Sequence, residues 1–183
     1  MNLIWRTLTH LLVASRAKRV DVFDVVRSRF RVLPTDLDVN RHMNNGRYLS
    51  IADVARFEML MRTGVWKVLM SNGWYPVVQS STITHRLSLT PWQRFTIESR
   101  IMAFDEKSVY LEHRFVVKGQ LAARLVLRGR FLKRSGGTVP LAEISKAVGV
   151  DVSDRSVPEW VQRWAADVTL PSTRQPTPSV WED

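Results

Sequence analysis

The chain has 183 residues, of which 45% are hydrophobic, and a formal net charge of +10. This length and composition suit one folded domain with a sizeable core and exclude a disordered chain. The absence of cysteine excludes disulfide bonds, thiol nucleophiles and thiolate metal sites. The positive charge indicates either an ordinary basic surface or a surface that attracts an anionic partner, such as a nucleotide-bearing cofactor, nucleic acid or a phospholipid surface.

Residues 1–19 predict an amphipathic helix outside the main domain. Its apolar side comprises Ile4, Trp5, Leu8, Leu11 and Leu12. The apolar run is far shorter than the ~20 residues of a spanning helix, and no small-residue cleavage pattern follows it. We therefore expect a cytoplasmic protein in which this helix packs on its own domain. The alternative is weak peripheral membrane contact, helped by the basic residues Arg16, Lys18 and Arg19.

Residues 20–140 read as the central domain. Val20–Leu33 alternates apolar residues with Arg27, Arg29 and Arg31, which predicts a strand with one solvated face. A polar loop begins at Asp36 and runs into a helix that has no Gly or Pro from Arg47 to Thr63 and ends at Gly64. Apolar residues cover most of the helix surface, which is typical of a buried helix.

Four further strands follow the long helix, separated by turns too short for parallel crossovers. They are Tyr75–Leu89, Phe95–Ala103, Ser108–Val117 and Leu121–Leu132, after a short helix over Val65–Asn72. This order predicts an α+β fold in which one curved antiparallel sheet wraps around one long helix. Apolar side chains on the later strands favour a face covered by a partner, and so a homodimer: Leu111, Phe115, Leu125, Leu127 and Phe131.

Residues 141–183 form a C-terminal extension. Leu141–Val148 and Pro158–Val168 predict two short helices, with Pro158 in the first turn of the second. The proline-containing remainder from Leu170 predicts a loose tail.

Residues 36–48, DLDVNRHMNNGRY, resemble the loop and helix start of hotdog-fold acyl-CoA thioesterases, most closely the 4-hydroxybenzoyl-CoA thioesterase-like branch. The resemblance extends over about residues 24–140. It implies a hotdog fold, a homodimer or dimer of dimers with active sites between subunits, no metal, and no cofactor other than the coenzyme A of the substrate. This chain has Arg41 where many members have glycine, and the extension beyond Pro140 has no counterpart in the core family.

In that branch the second aspartate is the catalytic carboxylate, which corresponds to Asp38. The resemblance also implies that the backbone N–H of Asn45, at the helix start, polarises the thioester carbonyl. A carboxylate can act as general base or attack the carbonyl directly, and the sequence leaves both routes open. On the residues alone, Asp38 could equally be a turn former or helix cap. Asp36 reads as a structural loop residue.

Other candidates have weaker signals. His42 orients substrate or water, or else braces the loop, and Tyr48 reads as core or pocket wall. Ser80 and Ser81 are candidate donors to the acyl or pantetheine part, although small polar residues on a strand are more often plain surface. Because the chain has neither a P-loop nor a dinucleotide-binding glycine motif, a nucleotide would be held by scattered basic residues. The candidates are Arg128 and Arg130.

The favoured function is hydrolysis of acyl-CoA or related thioesters. A hotdog hydratase or dehydratase acting on enoyl thioesters is the first alternative, although such enzymes pair the aspartate with a histidine five residues on, and His42 follows Asp38 by four. A non-catalytic acyl-thioester binding protein is the second. Nucleic-acid binding rests on charge alone and is not expected.

Overall fold

A computed structural model describes residues 3–152, 154–171 and 176–181. The helices are α1 (Leu3–Arg16), α2 (Asn45–Arg62), α3 (Val65–Ser71), α4 (Leu141–Val148) and α5 (Glu159–Asp167). The strands are β1 (Val26–Arg31), β2 (Trp74–His85), β3 (Arg94–Phe104), β4 (Val109–Val117) and β5 (Gln120–Lys133). Within the described ranges, every helix is too short or too polar to cross a bilayer.

The five strands form one antiparallel sheet in the order β1-β3-β4-β5-β2. Tight turns join β3, β4 and β5, whereas the long connection from β1 to β2 carries α2 and α3 across the inner face. The predicted α+β architecture, one antiparallel sheet against one long helix, is confirmed. Because β1 and β2 are the two edge strands, the loop that precedes α2 starts from one edge of the sheet.

Helix α2 is the centre of the core. The predicted inward face of the helix is confirmed, since all its members are buried: Tyr48, Ile51, Ala52, Ala55 and Met59. The apolar strand residues expected to face a partner instead pack in this same core, so that expectation was wrong: Leu111, Phe115, Leu125, Leu127 and Phe131. Each large side chain buried here stabilises the fold by roughly 1.5–3 kcal/mol. Helix α2 therefore covers the centre of the apolar face of the sheet, and Leu69 of α3 and Ile144 of α4 extend this cover.

The first strand is shorter than the alternating pattern predicts. It covers Val26–Arg31, with the predicted alternation of buried residues and exposed arginines. The preceding residues form a turn in which Asp21 Oδ1 accepts a hydrogen bond from the N–H of Phe23 (2.9 Å) and Asp24 Oδ2 accepts one from the N–H of Asp21 (3.0 Å). Aspartates that bond to nearby backbone N–H groups favour turns over strands. Side-chain alternation alone did not reveal this.

Helix α1 packs on the domain, as expected, and it does so through its polar face. Arg6 donates to both carboxylate oxygens of Asp36 (3.2 and 2.8 Å) and to the carbonyl of Arg31 (2.7 Å). His10 contacts Glu58 of α2 (2.8 Å) and stacks on Phe30 with ring centroids 4.3 Å apart. The apolar side consequently faces solvent. Predicted residues Met1 and Asn2 of this helix lie outside the described residues.

The C-terminal extension packs against both faces of the sheet. Ile144 of α4 joins the inner core, whereas Val161 and Ala165 of α5 pack against Ala103 and Tyr110. The predicted loose tail falls partly on residues 172–175 and 182–183, which lie outside the described ranges. The extension is thus packed as part of the folded domain, and α4 lines a cavity described below.

Candidate active site

The loop between β1 and α2 is built around the carboxylate of Asp38. Its Oδ1 accepts hydrogen bonds from the N–H groups of Asn40 (2.9 Å) and His42 (3.3 Å), and its own N–H donates to the carbonyl of His42 (2.9 Å). An isolated antiparallel β-bridge between Leu37 and Met43 joins the two ends of the loop. In the described part of the chain, Oδ2 of Asp38 has no hydrogen-bond partner. One oxygen therefore holds the loop and the other remains available.

The start of α2 has an uncommitted backbone donor. Asn44 is the N-cap, and its Oδ1 accepts from the N–H of Gly46 (2.9 Å), while its own N–H donates to the carbonyl of Asp36 (2.8 Å). The N–H of Asn45 lies between these two and has no acceptor among the described residues. The first N–H groups of a helix point along its axis at the positive end of the dipole. Asn45 thus presents a donor suited to an anionic or polarised oxygen.

Asp38 and Asn45 line the same cavity, which has a volume of about 260 Å³. His42 and Tyr48, two other predicted site residues, line it as well. The remaining lining residues are Met43, His85, Arg86, Leu87 and Ser88. The structure therefore brings together four residues that were singled out from the sequence.

Tyr48 forms an apolar wall of this cavity. The side chain is 2% exposed, and its ring centroid lies 4.6 Å from that of His85 and 5.0 Å from that of Phe115. Burial raises the pKa of Tyr48 above its ordinary value, opposed by a hydrogen bond with the backbone of Leu89. The phenol is therefore neutral at physiological pH and suits packing better than proton transfer.

The segment His85–Ser88 was not predicted from the sequence as part of the site. The predicted strand ran to Leu89, but β2 ends at His85 because the N–H groups of Arg86 and Leu87 both donate to the carbonyl of Ala122 (2.8 and 3.0 Å). This turns the segment over the mouth of the cavity and places a histidine and an arginine there. The adjacent basic pair at a strand end was the available signal. Within the described ranges, no cluster of His, Asp and Glu has the arrangement of a metal site.

Four other predicted substrate-binding residues lie outside this cavity. Ser80 and Ser81 are on β2, several residues before its end at His85. Arg128 donates to Ser108 Oγ (3.0 Å) and pairs with Asp105 (3.4 Å). Arg130 donates to Gln79 Oε1 (2.6 Å). Neither arginine lines the cavity at the Asp38 loop, although Arg130 lines the second cavity described next.

A second, apolar cavity of about 210 Å³ lies between the sheet and the C-terminal half of α2. Its polar lining residues include Asp53 and Arg56, which form the i, i+3 ion pair predicted from the sequence. Apolar lining residues include Leu60, Ile101, Leu111, Ile144, Val148 and Val150. At 1.5 Å per residue, Asp53 lies about 12 Å along α2 from Asn45. Helix α4 and the residues after it form one wall.

The family described as the thioesterase-like superfamily matches residues 32–165. Protein THEM6 of Danio rerio is 34% identical over 175 residues, covering 92% of this chain and 85% of that protein. Protein THEM6 of Xenopus laevis is 37% identical over 133 residues, or 73% of this chain, and the match spans 63% of that protein's length.

Among solved structures, the probable thioesterase YbaW from Escherichia coli superposes with a TM-score of 0.64 at 22% sequence identity. The match covers 69% of this chain and 98% of that chain. This likeness establishes that the curved sheet and central helix have the expected hotdog arrangement.

Proposed function

The chain belongs to the thioesterase-like superfamily, and we propose that it hydrolyses acyl-CoA thioesters in the cavity between Asp38 and Asn45. The observation that carries this proposal is the pairing, in one open cavity, of a free carboxylate oxygen with a free backbone N–H at a helix start. Thioester hydrolysis needs both groups: one to deliver the nucleophile, and one to stabilise the negative oxygen that develops on the carbonyl.

The N–H of Asn45 is the proposed oxyanion donor. Its neighbours are committed, because the N–H of Asn44 bonds to the loop and that of Gly46 bonds to the Asn44 side chain. A preorganised donor of this kind is typically worth ~10²–10³ in rate. Gly46 supports the arrangement, since a Cβ at that position would approach Asn44 Oδ1 to 3.3 Å.

Asp38 is the proposed base or nucleophile. As a base, its Oδ2 takes a proton from water while the water oxygen bonds to the thioester carbon, and the tetrahedral intermediate then expels the thiolate. As a nucleophile, Oδ2 bonds to that carbon directly, the thiolate leaves, and water hydrolyses the resulting anhydride. In both routes the hydrogen bonds to Oδ1 keep the carboxylate oriented during the reaction.

The rest of the cavity suits a coenzyme A thioester. His42 is exposed at its rim and can orient the incoming water or the thioester, and Tyr48 packs against the acyl carbonyl region. Arg86 lines the mouth, which makes it the proposed contact for a phosphate of the coenzyme. The apolar cavity beyond Asp53, bordered by α4, is the proposed place for an acyl chain long enough to follow α2.

We also propose that the molecule works as a homodimer joined at β2. This strand is an edge of the sheet, and Tyr75 and Val78 on it are 39% and 50% exposed. An edge with exposed apolar residues is a ready template for pairing with another strand. The opposite edge strand, β1, carries exposed arginines that discourage such pairing.

Release of free thiol from a panel of acyl-CoA substrates tests the proposal, with Asp38→Asn against the native protein. An asparagine oxygen can still accept the bonds from Asn40 and His42, so the loop is kept while the base is lost. Asp21→Asn is the matched control, since Asp21 also accepts a backbone N–H two residues on but lies outside the cavity. We expect a loss of at least ~10²-fold for Asp38→Asn, the low end for a lost general base, and native rates for Asp21→Asn.

Three results would contradict the proposal. Native turnover by Asp38→Asn would remove the carboxylate from the mechanism. Acyl-CoA binding without thiol release on any chain length would identify a binding protein. Addition of water to an enoyl-CoA, without hydrolysis, would identify a hydratase.

A further inference from the structure

The outer face of α1 is a continuous apolar surface. Ile4, Trp5, Leu8, Leu12 and Val13 are 61%, 75%, 50%, 52% and 60% exposed. At about 100° per residue, Ile4, Trp5, Leu8 and Leu12 lie on one side of the helix, and Val13 lies at the border between this side and the packed residues. Helix α1 therefore presents several exposed large apolar side chains side by side.

The orientation of this face is fixed by the polar contacts beneath it. Arg6 is held by Asp36, His10 by Glu58, and Ala14 is 5% exposed. Rotating α1 to bury the apolar side would break the contacts of Arg6 and His10 and leave two buried carboxylates with only the longer contacts from Arg47 and Arg62, which is costly. The fold thus holds the helix with its apolar side outward.

Basic residues border the apolar face. Arg16 ends α1, and Lys18 and Arg19 follow it, all exposed. Arg29 of β1 lines the same surface depression as Val13. Within the described ranges, Arg16, Lys18 and Arg29 have no ion-pair partner. Residues 1–35 contain seven Arg or Lys and two Asp, a net charge of +5.

We propose that α1 attaches the protein to an anionic lipid surface, with its apolar face lying at the boundary between headgroups and acyl chains. A helix with tryptophan and leucine on one side and basic residues at its border is the type that lies in this boundary. Each basic residue near an anionic surface contributes about 1 kcal/mol, equivalent to roughly fivefold in affinity. This attachment is independent of the proposed hydrolysis.

Charge favours a lipid surface over a second copy of the chain. Helix α1 contains no Asp or Glu, so a two-fold interface through this face would bring two basic patches together without an acidic complement. Like charges placed together across an interface oppose association. An anionic bilayer is complementary to the same residues.

The attachment can be tested by co-sedimentation of the full chain with phosphatidylcholine vesicles, with and without about 30% phosphatidylserine. We expect binding to the anionic vesicles that weakens at least tenfold without phosphatidylserine or in high salt. Leu8→Gln with Leu12→Gln removes two apolar contacts and should weaken binding at least tenfold. Leu170→Gln with Val180→Gln, which changes two apolar residues off α1 that are even more exposed, should not.

Trp5→Phe provides a second readout that keeps the apolar face. Brominated lipids should quench native fluorescence, and the quenched fraction should fall in this variant because Trp5 is the tryptophan that enters the bilayer. The proposal is overturned if binding is equal with and without anionic lipid, or if the α1 and control variants bind alike. It is also overturned if the α1 double variant converts a dimer to a monomer in sedimentation, since a second copy then covers this face.

Discussion

The contact between Arg6 and Asp36 should be a major determinant of stability, because it joins α1 to the loop that carries the candidate site. The two side chains are 14% and 2% exposed, and Arg6 makes two hydrogen bonds to the carboxylate and one to the carbonyl of Arg31. Asp36 also accepts a hydrogen bond from the N–H of Leu33 (2.8 Å). Arg6→Ala would leave the buried carboxylate without its main partner.

Removing one partner of a buried ion pair typically costs 3–5 kcal/mol. Arg47 lies 3.9 Å from the same carboxylate and offsets part of the loss, so we expect the low end, about 3 kcal/mol. Urea denaturation followed by circular dichroism measures this free energy, and the melting temperature should fall by roughly 6–12 °C.

The matched control is Arg27→Ala. Arg27 pairs with Glu98 at 2.9 Å, but the two side chains are 66% and 28% exposed, so its loss should cost less than about 1 kcal/mol. If Arg6→Ala costs no more than Arg27→Ala, the inward orientation of the polar face of α1 is wrong. The outward apolar surface would then lose its structural basis.

Two further predictions concern single residues. Burial, assisted by the charge of Arg56, lowers the pKa of His113 to about 3. Below about pH 6.5 the unfolded chain therefore binds a proton that the folded chain excludes. The free energy of unfolding should consequently fall as the pH falls, by up to ~1.4 kcal/mol per pH unit. His113→Gln should reduce the dependence of the unfolding free energy on pH, measured by urea titrations between pH 7 and 5. Ser99→Ala keeps the imidazole and should leave this dependence unchanged. Equal pH dependence in the two variants would contradict the assignment of the effect to His113. Arg41 has a φ of 60°, where an L side chain costs about 1–2 kcal/mol, so Arg41→Gly should raise the unfolding free energy by roughly 0.5–1 kcal/mol. Arg41→Ala keeps the Cβ and should give no gain, and a destabilised glycine variant would show that the arginine side chain has a role of its own.

Periodicity was sufficient for the elements that bury one face. The apolar pattern of residues 47–63 predicted α2 to within two residues of its start and one of its end, and α4 was predicted with the observed bounds. These signals are local, because spacing along the chain decides which side chains share a face. The loop-and-helix start was likewise legible, since the turn, cap and free N–H all depend on neighbouring residues.

Contacts between distant residues decided the rest. The orientation of α1 depends on the bond from Arg6 to Asp36, thirty residues away, and nothing in the helix pattern indicates it. The end of β2 depends on the carbonyl of Ala122. Arg128 was expected near substrate, yet Asp105 on a separate turn holds it. Such pairings depend on tertiary packing, which spacing along the sequence does not encode.

A crystal structure with a non-hydrolysable acyl-CoA analogue, in which a methylene group replaces the thioester sulfur, tests the central claim most directly. We predict that the carbonyl oxygen lies about 2.7–3.1 Å from the nitrogen of Asn45, with Oδ2 of Asp38 facing the carbonyl carbon directly or through one water. If the ligand is well ordered but its carbonyl oxygen lies away from Asn45, and the N–H of Asn45 faces solvent, the account is contradicted.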